Sequence, residues 1–300
     1  MKTIGYIGLG KMGMNMVYRL NEMNWRVVAY NRSPEPRHQA ANQGIVTVDS
    51  ISGLVQKIDE PRIIWVMVSH ESVDAVLDEL APLLSKGDVI IDGGNSLYKE
   101  TIRRAKVIES KGIHFLDVGT SGGPSGARHG ACCMIGGDES IFKKYEELFK
   151  DISAKDGYAY LGKHGAGHFV KMVHNGIEYG MMQSIGEGFE VMRKSEFSLD
   201  LKKIADLYNH KSVIESRLVG WLKDAYEKFG ENLEEISGSI AHSGEGKWTV
   251  ETAKELGVAM PIIEKSFKFR VQSKKKPSYI GKVVSALRNM FGGHEVSHKP

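Results

Sequence analysis

The sequence predicts an α/β protein, with a doubly wound, mostly parallel sheet in the first half and a smaller, all-helical domain in the second. Three observations carry that prediction. A short apolar run, Ile4 to Ile7, passes directly into Gly8-Leu9-Gly10-Lys11-Met12-Gly13 and then into a helical stretch through Met16, Val17 and Leu20. Further apolar strands alternate with helical segments, as parallel strands joined by crossover helices must. After Leu161-Gly162 the strand signals fade. With 300 residues and 41% hydrophobic content the chain can bury a large core, and chains of this size divide in two. The expected domains are residues 1–162, binding a dinucleotide, and 163–300, helical.

The first motif is strand, glycine turn, helix. Its glycines allow a tight turn and a close backbone approach to a pyrophosphate, which rests on the unpaired N–H groups of the helix N-terminus. A second strand, Arg26 to Tyr30, ends where such Rossmann-type sheets place the residue that reads the ribose. Here that point is Asn31-Arg32-Ser33. A carboxylate would accept from a free 2′-hydroxyl and repel a 2′-phosphate, whereas Asn, Arg and Ser offer donors and a positive charge. NADP is therefore favoured, with NAD possible; the plain alternative for Arg32 is a surface arginine.

Strands follow at Arg62 to Val68, Asp88 to Ile91, Ile113 to Val118 and Cys132 to Ile135, separated by helices such as Ser72 to Leu84 and Tyr98 to Lys111. Ligands of such sheets sit at the carboxyl ends of strands. Val68-Ser69-His70, Gly93-Gly94-Asn95-Ser96 and Thr120-Ser121-Gly122-Gly123 fall there. The Asn95 turn brings an amide to the edge, or is a simple turn or cap. The glycines at 122 and 123 expose backbone N–H groups that suit a carboxylate or hydroxyls, though a plain loop also explains them.

Helices are expected at Gly165 to Arg193, Asp200 to Asn209, Val213 to Phe229, Thr249 to Leu256 and Pro261 to Ser273. In the first, Lys171, His174, Asn175 and Glu178 stand at i, i+3, i+4 and i+7 and share one face. Phe169, Val170, Met172, Val173, Ile177, Met181 and Met182 cover the rest, so the helix reads as buried nearly all round with a polar stripe. Lys171 and Glu178 lie about 10 Å apart along the axis at ~1.5 Å per residue, too far to pair directly. A buried amine and carboxyl at that separation suit a small hydroxylated or anionic substrate held between a base and an acid, or else an internal ion network. His164 and His168 have the spacing of a metal pair, but glycines interrupt the segment and no fitting third ligand is evident. Capping or cleft-lining roles are the stronger reading, and no metal is expected.

Composition excludes other classes. A net charge of +3 and a pI near 8.6 come without the basic stripes and aromatic platforms of a nucleic-acid binder. The run Lys274-Lys275-Lys276 reads as a solvated loop. No segment approaches the ~18 apolar residues of a membrane span. The adjacent Cys132 and Cys133 suit neither a mutual disulfide nor a metal motif. With no leader pattern before Thr3, the chain reads as cytoplasmic and complete.

Taken together, Gly8 to Gly13, Ile90-Ile91-Asp92-Gly93-Gly94-Asn95-Ser96, Gly119-Thr120-Ser121-Gly122-Gly123 and Lys171-Met172-Val173-His174-Asn175-Gly176-Ile177-Glu178-Tyr179 resemble the decarboxylating 6-phosphogluconate dehydrogenase family, within the β-hydroxyacid dehydrogenase superfamily. Gly244-Glu245-Gly246-Lys247-Trp248-Thr249 and Arg288-Asn289-Met290-Phe291-Gly292-Gly293-His294 agree with it. The chain is similar to the short class, since long members carry an extra helical duplication.

The resemblance implies oxidation and decarboxylation of 6-phospho-D-gluconate to D-ribulose 5-phosphate and carbon dioxide with NADP or NAD, in the pentose phosphate pathway and gluconate utilisation. Lys171 would be the general base, its pKa lowered by an apolar setting, and Glu178 the general acid. Asn95, Ser121, Gly122, Gly123, His174 and Asn175 would hold the sugar acid, and Tyr179 and Arg270 the phosphate. The cofactor would lie on Gly8, Leu9, Gly10, Lys11, Met12, Gly13, Asn31, Arg32, Ser33, Val68, Ser69, His70 and Asn95. Arg288 and His294 would act in trans, in a neighbouring subunit's site, making a homodimer or homotetramer.

The sequence departs from long members where they carry Lys and Thr and this chain has Ser243 and Glu245; His70 replaces a small residue, and short members often carry an acid at Asn31. A 3-hydroxyisobutyrate-type dehydrogenase shares the fold, the glycine turn and a Lys-x-x-x-Asn, but lacks the Glu178-Tyr179 pair. A non-catalytic NADP-binding scaffold would have no need of Lys171.

Overall fold

The computed structural model describes residues 2–241 and 244–296. Unit 1, Met1–Lys171, is a single eight-stranded sheet flanked by helices. The chain runs β1 (Thr3–Ile7), α1 (Lys11–Glu22), β2 (Arg26–Tyr30), α2 (Pro34–Ala41), β3 (Val46–Val48), α3 (Ile51–Gln56), β4 (Ile63–Val66), α4 (Val73–Leu80), β5 (Val89–Asp92), α5 (Tyr98–Glu109), β6 (His114–Ser121), α6 (Gly123–His129), β7 (Ala131–Gly137), α7 (Glu139–Lys144), α8 (Glu146–Ile152) and β8 (Ser153–Gly162).

The strand order is β3-β2-β1-β4-β5-β6-β7-β8. Every neighbouring pair is parallel except β6 with β7, which pair antiparallel. The strand order reverses between β1 and β4, the place where doubly wound sheets take their ligands. β4 and β5 are buried along their whole length, as strands covered on both faces must be. One apolar cluster built on Ile4, Tyr6, Trp65, Val89 and Phe149 fills one side of the sheet. A second, built on Ile7, Leu54, Ile64, Leu80, Ile90 and Phe115, fills the other. On β7 the pleat turns Cys132 outward and buries Cys133, whose thiol is pushed by burial up to about 12.

α9 (Ala166–Lys194) carries the chain from unit 1 into unit 2, Met172–Pro300. Unit 2 continues with α10 (Leu201–Tyr208), α11 (Arg217–Phe229), α12 (Glu245–Glu255), α13 (Pro261–Ser273) and α14 (Tyr279–Gly292). Its core gathers Met182, Phe189, Leu222, Tyr226, Ile236, Val283 and Leu287. A sheet domain followed by helices is the fold the sequence predicts.

Three details differ from expectation. The helix expected from Val213 starts at Arg217, because the Ser216 hydroxyl accepts from the Val219 N–H and caps it there. α12 begins at Glu245, ahead of Thr249. α9 is not buried nearly all round: Val170, Ile177 and Met181 are exposed in the single chain.

Candidate active site

The glycine turn is built as its spacing requires. Gly8 adopts φ +105°, and a Cβ there would stand 2.2 Å from the Met67 carbonyl oxygen. Gly13 brings α1 so close that a Cβ would meet the Gly8 carbonyl oxygen at 2.0 Å. Gly10 alone of the three faces open space, with nothing within 4 Å of the point a Cβ would occupy. The strand and helix therefore use two glycines for packing, and the third leaves bare backbone beside the N-terminus of α1, a cradle that fits a pyrophosphate. Lys11 is exposed, Met12 half-buried and Leu9 buried. Asn31 secures the turn: its Oδ1 accepts from the Leu9 N–H at 2.9 Å and its Nδ2 donates to the Ser33 carbonyl at 3.2 Å. That leaves Arg32 and Ser33, both exposed, to face solvent at the end of β2.

Two further loops lie at the same edge. Val68, Ser69 and His70 follow β4, and Asn95 follows β5. Asp92, fully buried, cinches the Asn95 turn by accepting from the Gly94 N–H at 3.0 Å and the Ser96 hydroxyl at 2.8 Å. Arg104, on α5, then bridges the loops. It donates to both carboxylate oxygens of Asp74, to Ser96 Oγ at 3.2 Å and to the His70 carbonyl at 3.4 Å. Its guanidinium and that of Arg103 hold the Asp74 carboxyl at about 2.

Ser121 ends β6, and Gly122 and Gly123 lead into α6; Gly122 has φ +119° and Gly123 φ +63°, conformations that favour glycine. Within unit 1, β6 also seats the start of α9. The buried carboxylate of Asp117 accepts from the N–H of Gly165 at 2.7 Å and of His168 at 2.9 Å, so a strand residue caps the helix. Gly119 lies against Lys171, where a Cβ would approach the lysine Cβ to 2.3 Å. His168 is fixed through Nδ1 to the Thr101 hydroxyl at 2.7 Å, and His164 Nε2 lies 3.0 Å from both the Phe115 carbonyl and a Glu109 oxygen. Among the described residues no group of three or more His, Cys, Asp or Glu is placed to hold a metal.

The polar face of α9 continues in unit 2 through His174, Asn175 and Glu178. Tyr179, one residue on, is buried beneath Arg270 of α13, whose guanidinium lies 3.2 Å from the ring centroid. Gly246 makes room, since a Cβ there would meet the Tyr179 ring at 2.3 Å. Arg270 is 2% exposed and Arg288 8%. Burial lowers both, and the charge of Arg288 lowers Arg270 further, to about 10. The negative charges near them are Glu245 and Glu178.

Arg288, on α14, is buried close to Arg270 and Tyr179. Near the start of α14, Gly281 stands against the Gly238 carbonyl, and Arg288 two turns on is among the buried residues of the helix. His294 is exposed, with its ring against Phe291. Ser243 lies outside the described residues.

Asp117, Arg104 and Glu245 were not singled out as site residues from sequence. Asp117 carried a signal, an acid inside the apolar strand Phe115-Leu116-Asp117-Val118. The other two gain meaning only from partners distant in the chain.

A dinucleotide cradle on a parallel sheet, followed by a helical domain entered by a lysine-bearing helix, defines a two-domain nicotinamide-dependent dehydrogenase. Comparison with known proteins narrows this. Residues 3–162 match the family described as the NAD binding domain of 6-phosphogluconate dehydrogenase, and residues 167–281 that of its C-terminal domain. The chain belongs to the 6-phosphogluconate dehydrogenase family. It is 49% identical over 296 residues to YqeC of Bacillus subtilis, a putative 6-phosphogluconate dehydrogenase, covering 99% of both chains. It is 38% identical over 298 residues to the NAD(+)-dependent, decarboxylating 6-phosphogluconate dehydrogenase of Haloferax volcanii, again covering 99% of both. Among solved structures it resembles Plasmodium falciparum 6-phosphogluconate dehydrogenase, studied with NADP+ and with 6-phosphogluconate, at TM-score 0.82 and 29% identity. The match covers 91% of this chain and 62% of that one.

Proposed function

We propose that the chain oxidises and decarboxylates 6-phospho-D-gluconate to D-ribulose 5-phosphate and carbon dioxide, with NADP or NAD as oxidant. The observation that carries this reading is the pair of buried guanidiniums, Arg270 and Arg288, beside Tyr179. Two desolvated like charges in one cluster call for a compact anion, and a phosphate dianion answers both. A 3-hydroxyisobutyrate-type substrate brings a single carboxylate charge and no phosphate.

When bound, the dinucleotide supplies the acceptor for the C3 hydride. Gly8 to Gly13 and the 68–70 loop hold it, Asn31 supports the turn, and Arg32 and Ser33 favour a 2′-phosphate. Neutral Lys171 takes the C3 hydroxyl proton during oxidation, giving a 3-keto acid. The resulting ammonium donates that proton to the C3 oxygen as C1 leaves as carbon dioxide and its electron pair forms an enediol. Glu178 then protonates the former C2 of the enediol, which becomes C1 of the pentulose, while Lys171 recovers the proton of the former C3 hydroxyl, yielding the ketone. Transfer of one proton from Lys171 to Glu178 through solvent resets both groups. Asn95, Ser121, Gly122, Gly123, His174 and Asn175 position the sugar acid.

The working unit is a homo-oligomer in the cytoplasm. Ile177, 52% exposed, and Met181 continue onto Ile262 of α13, 63% exposed, as an apolar face suited to a second copy. The exposed His294 is the residue offered in trans. Thiols without a disulfide suit a reducing compartment, and no helix among the described residues is long and apolar enough to cross a membrane.

The test is steady-state oxidation of 6-phosphogluconate with each nicotinamide, beside Lys171→Met. The wild-type chain should reduce NADP and release carbon dioxide in equal amounts, and the variant should bind NADP normally without turning over. Oxidation of 3-hydroxyisobutyrate in place of 6-phosphogluconate would overturn the reading.

A further inference from the structure

Glu245 is 6% exposed and opens α12. Its Oε1 accepts from Nδ2 of Asn175 at 3.1 Å, and Oδ1 of Asn175 lies 2.9 Å from Nδ1 of His174. The two helices that carry these groups are locked together. Thr249 Oγ1 lies 2.8 Å from the carbonyls of both Met172 and Glu245, and Gly176 is bare where a Cβ would stand 2.6 Å from the Thr249 methyl carbon.

These two contacts set the direction of donation along the row. A carboxylate only accepts, so the amide of Asn175 turns its NH2 toward Glu245 and its oxygen toward His174. That oxygen requires a hydrogen on Nδ1 of His174, which makes Nε2 the accepting atom of the neutral ring.

We propose that Glu245 is a positioning residue that dictates the hydrogen-bond polarity of Asn175 and His174, presenting His174 Nε2 as an acceptor for a hydroxyl of a polyhydroxylated acid. The inference rests on the reading of His174 and Asn175 as substrate contacts. The same carboxylate lies in the field of Arg270 and Arg288, so it also tempers their hold on the phosphate. Dictating polarity and tempering attraction pull turnover and affinity in opposite directions when the charge is removed.

Glu245→Gln keeps the shape but lets the side-chain amide offer either end to Asn175. With 6-phosphogluconate, kcat should fall about tenfold or more while KM also falls, because one negative charge has left the neighbourhood of two arginines. A variant with unchanged kcat, or with KM raised, overturns the proposal; a side chain that merely supports the fold would weaken both binding and turnover. A second measurement needs neither turnover nor a variant. In the substrate-free wild-type protein, carbon-13 and nitrogen-15 shifts of the His174 ring, at a pH where it is neutral, should report the Nδ1–H tautomer. Observation of the Nε2–H tautomer sinks the inference whatever the enzyme's activity. The Nδ1–H tautomer in a protein that fails to oxidise 6-phosphogluconate would instead sink the proposed substrate and leave the relay standing.

Discussion

Replacing Arg270 by methionine should leave the substrate-free protein at least as stable as wild type while crippling its use of a phosphorylated substrate. Burial and the charge of Arg288 hold the Arg270 guanidinium at about 10, against an ordinary 12.5. At about 1.4 kcal/mol per tenfold, keeping that charge buried beside Arg288 costs on the order of 3 kcal/mol. Methionine has a similar reach, and exchange of a buried charge for a well-packed apolar side chain is commonly neutral or stabilising. The cation–π contact with Tyr179 is lost, which returns roughly 2 kcal/mol. The net is a gain of about 1 kcal/mol in the ligand-free state. Against the substrate, losing two charge-assisted hydrogen bonds of ~1.5–3 kcal/mol each should lower kcat/KM by about 10²-fold or more. Thermal unfolding with and without inorganic phosphate, followed by steady-state kinetics, measures both sides. Phosphate should raise the Tm of wild type and leave that of the variant unmoved. A variant that melts below wild type without ligand and keeps its KM for 6-phosphogluconate would refute the cradle.

Arg32→Glu should raise KM for NADP far more than for NAD; equal effects in parallel titrations would discredit a 2′-phosphate contact. Gly10→Ala meets open space and should unfold like wild type yet bind NADP weakly, whereas Gly13→Ala overlaps the Gly8 carbonyl and should lower the Tm; fluorescence titration and calorimetry separate the two. Asp74, lowered to about 2 from 3.8 by its arginines, contributes stability that is present above about 3.8 and is lost as pH falls through that window. Acid unfolding of Asp74→Asn should therefore be flatter between these pH values than that of wild type, with a small amplitude because the carboxylate is half exposed.

Much of the fold was legible because the informative residues are neighbours in sequence. The turn Gly8 to Gly13 and the spacing Lys171 to Glu178 are local patterns, and β1, β2, β4, β5, β6 and β7 are apolar runs. The strands missed from sequence are β3 and β8, the two edges of the sheet. An edge strand is covered less and needs no continuous apolar run: β3 has three residues, and most of β8 is exposed or half-buried, with Asp156 at φ +58°. α14 was visible only as a motif around Arg288, not as a helix. The exposed apolar stripe on α9 was read as core because Ile177 and Met181 give the same signal whether they face their own chain or solvent. Glu245 and Asn175 stand 70 positions apart, and no periodicity links them.

One consequence of β6 reaches beyond the pieces it touches. Asp117 and Gly119 are two apart on a pleated strand and so face the same side; the first fixes how far along its axis α9 begins, and the second how near the stem of Lys171 can come. Both coordinates of the amine are thus written into one ladder, Asp92 opposite Asp117 and Cys133 opposite Thr120. A slip of a single residue in that ladder would swing both side chains to the far surface. The amine would then lose its depth and its clearance at one stroke, with every residue around the reaction unchanged.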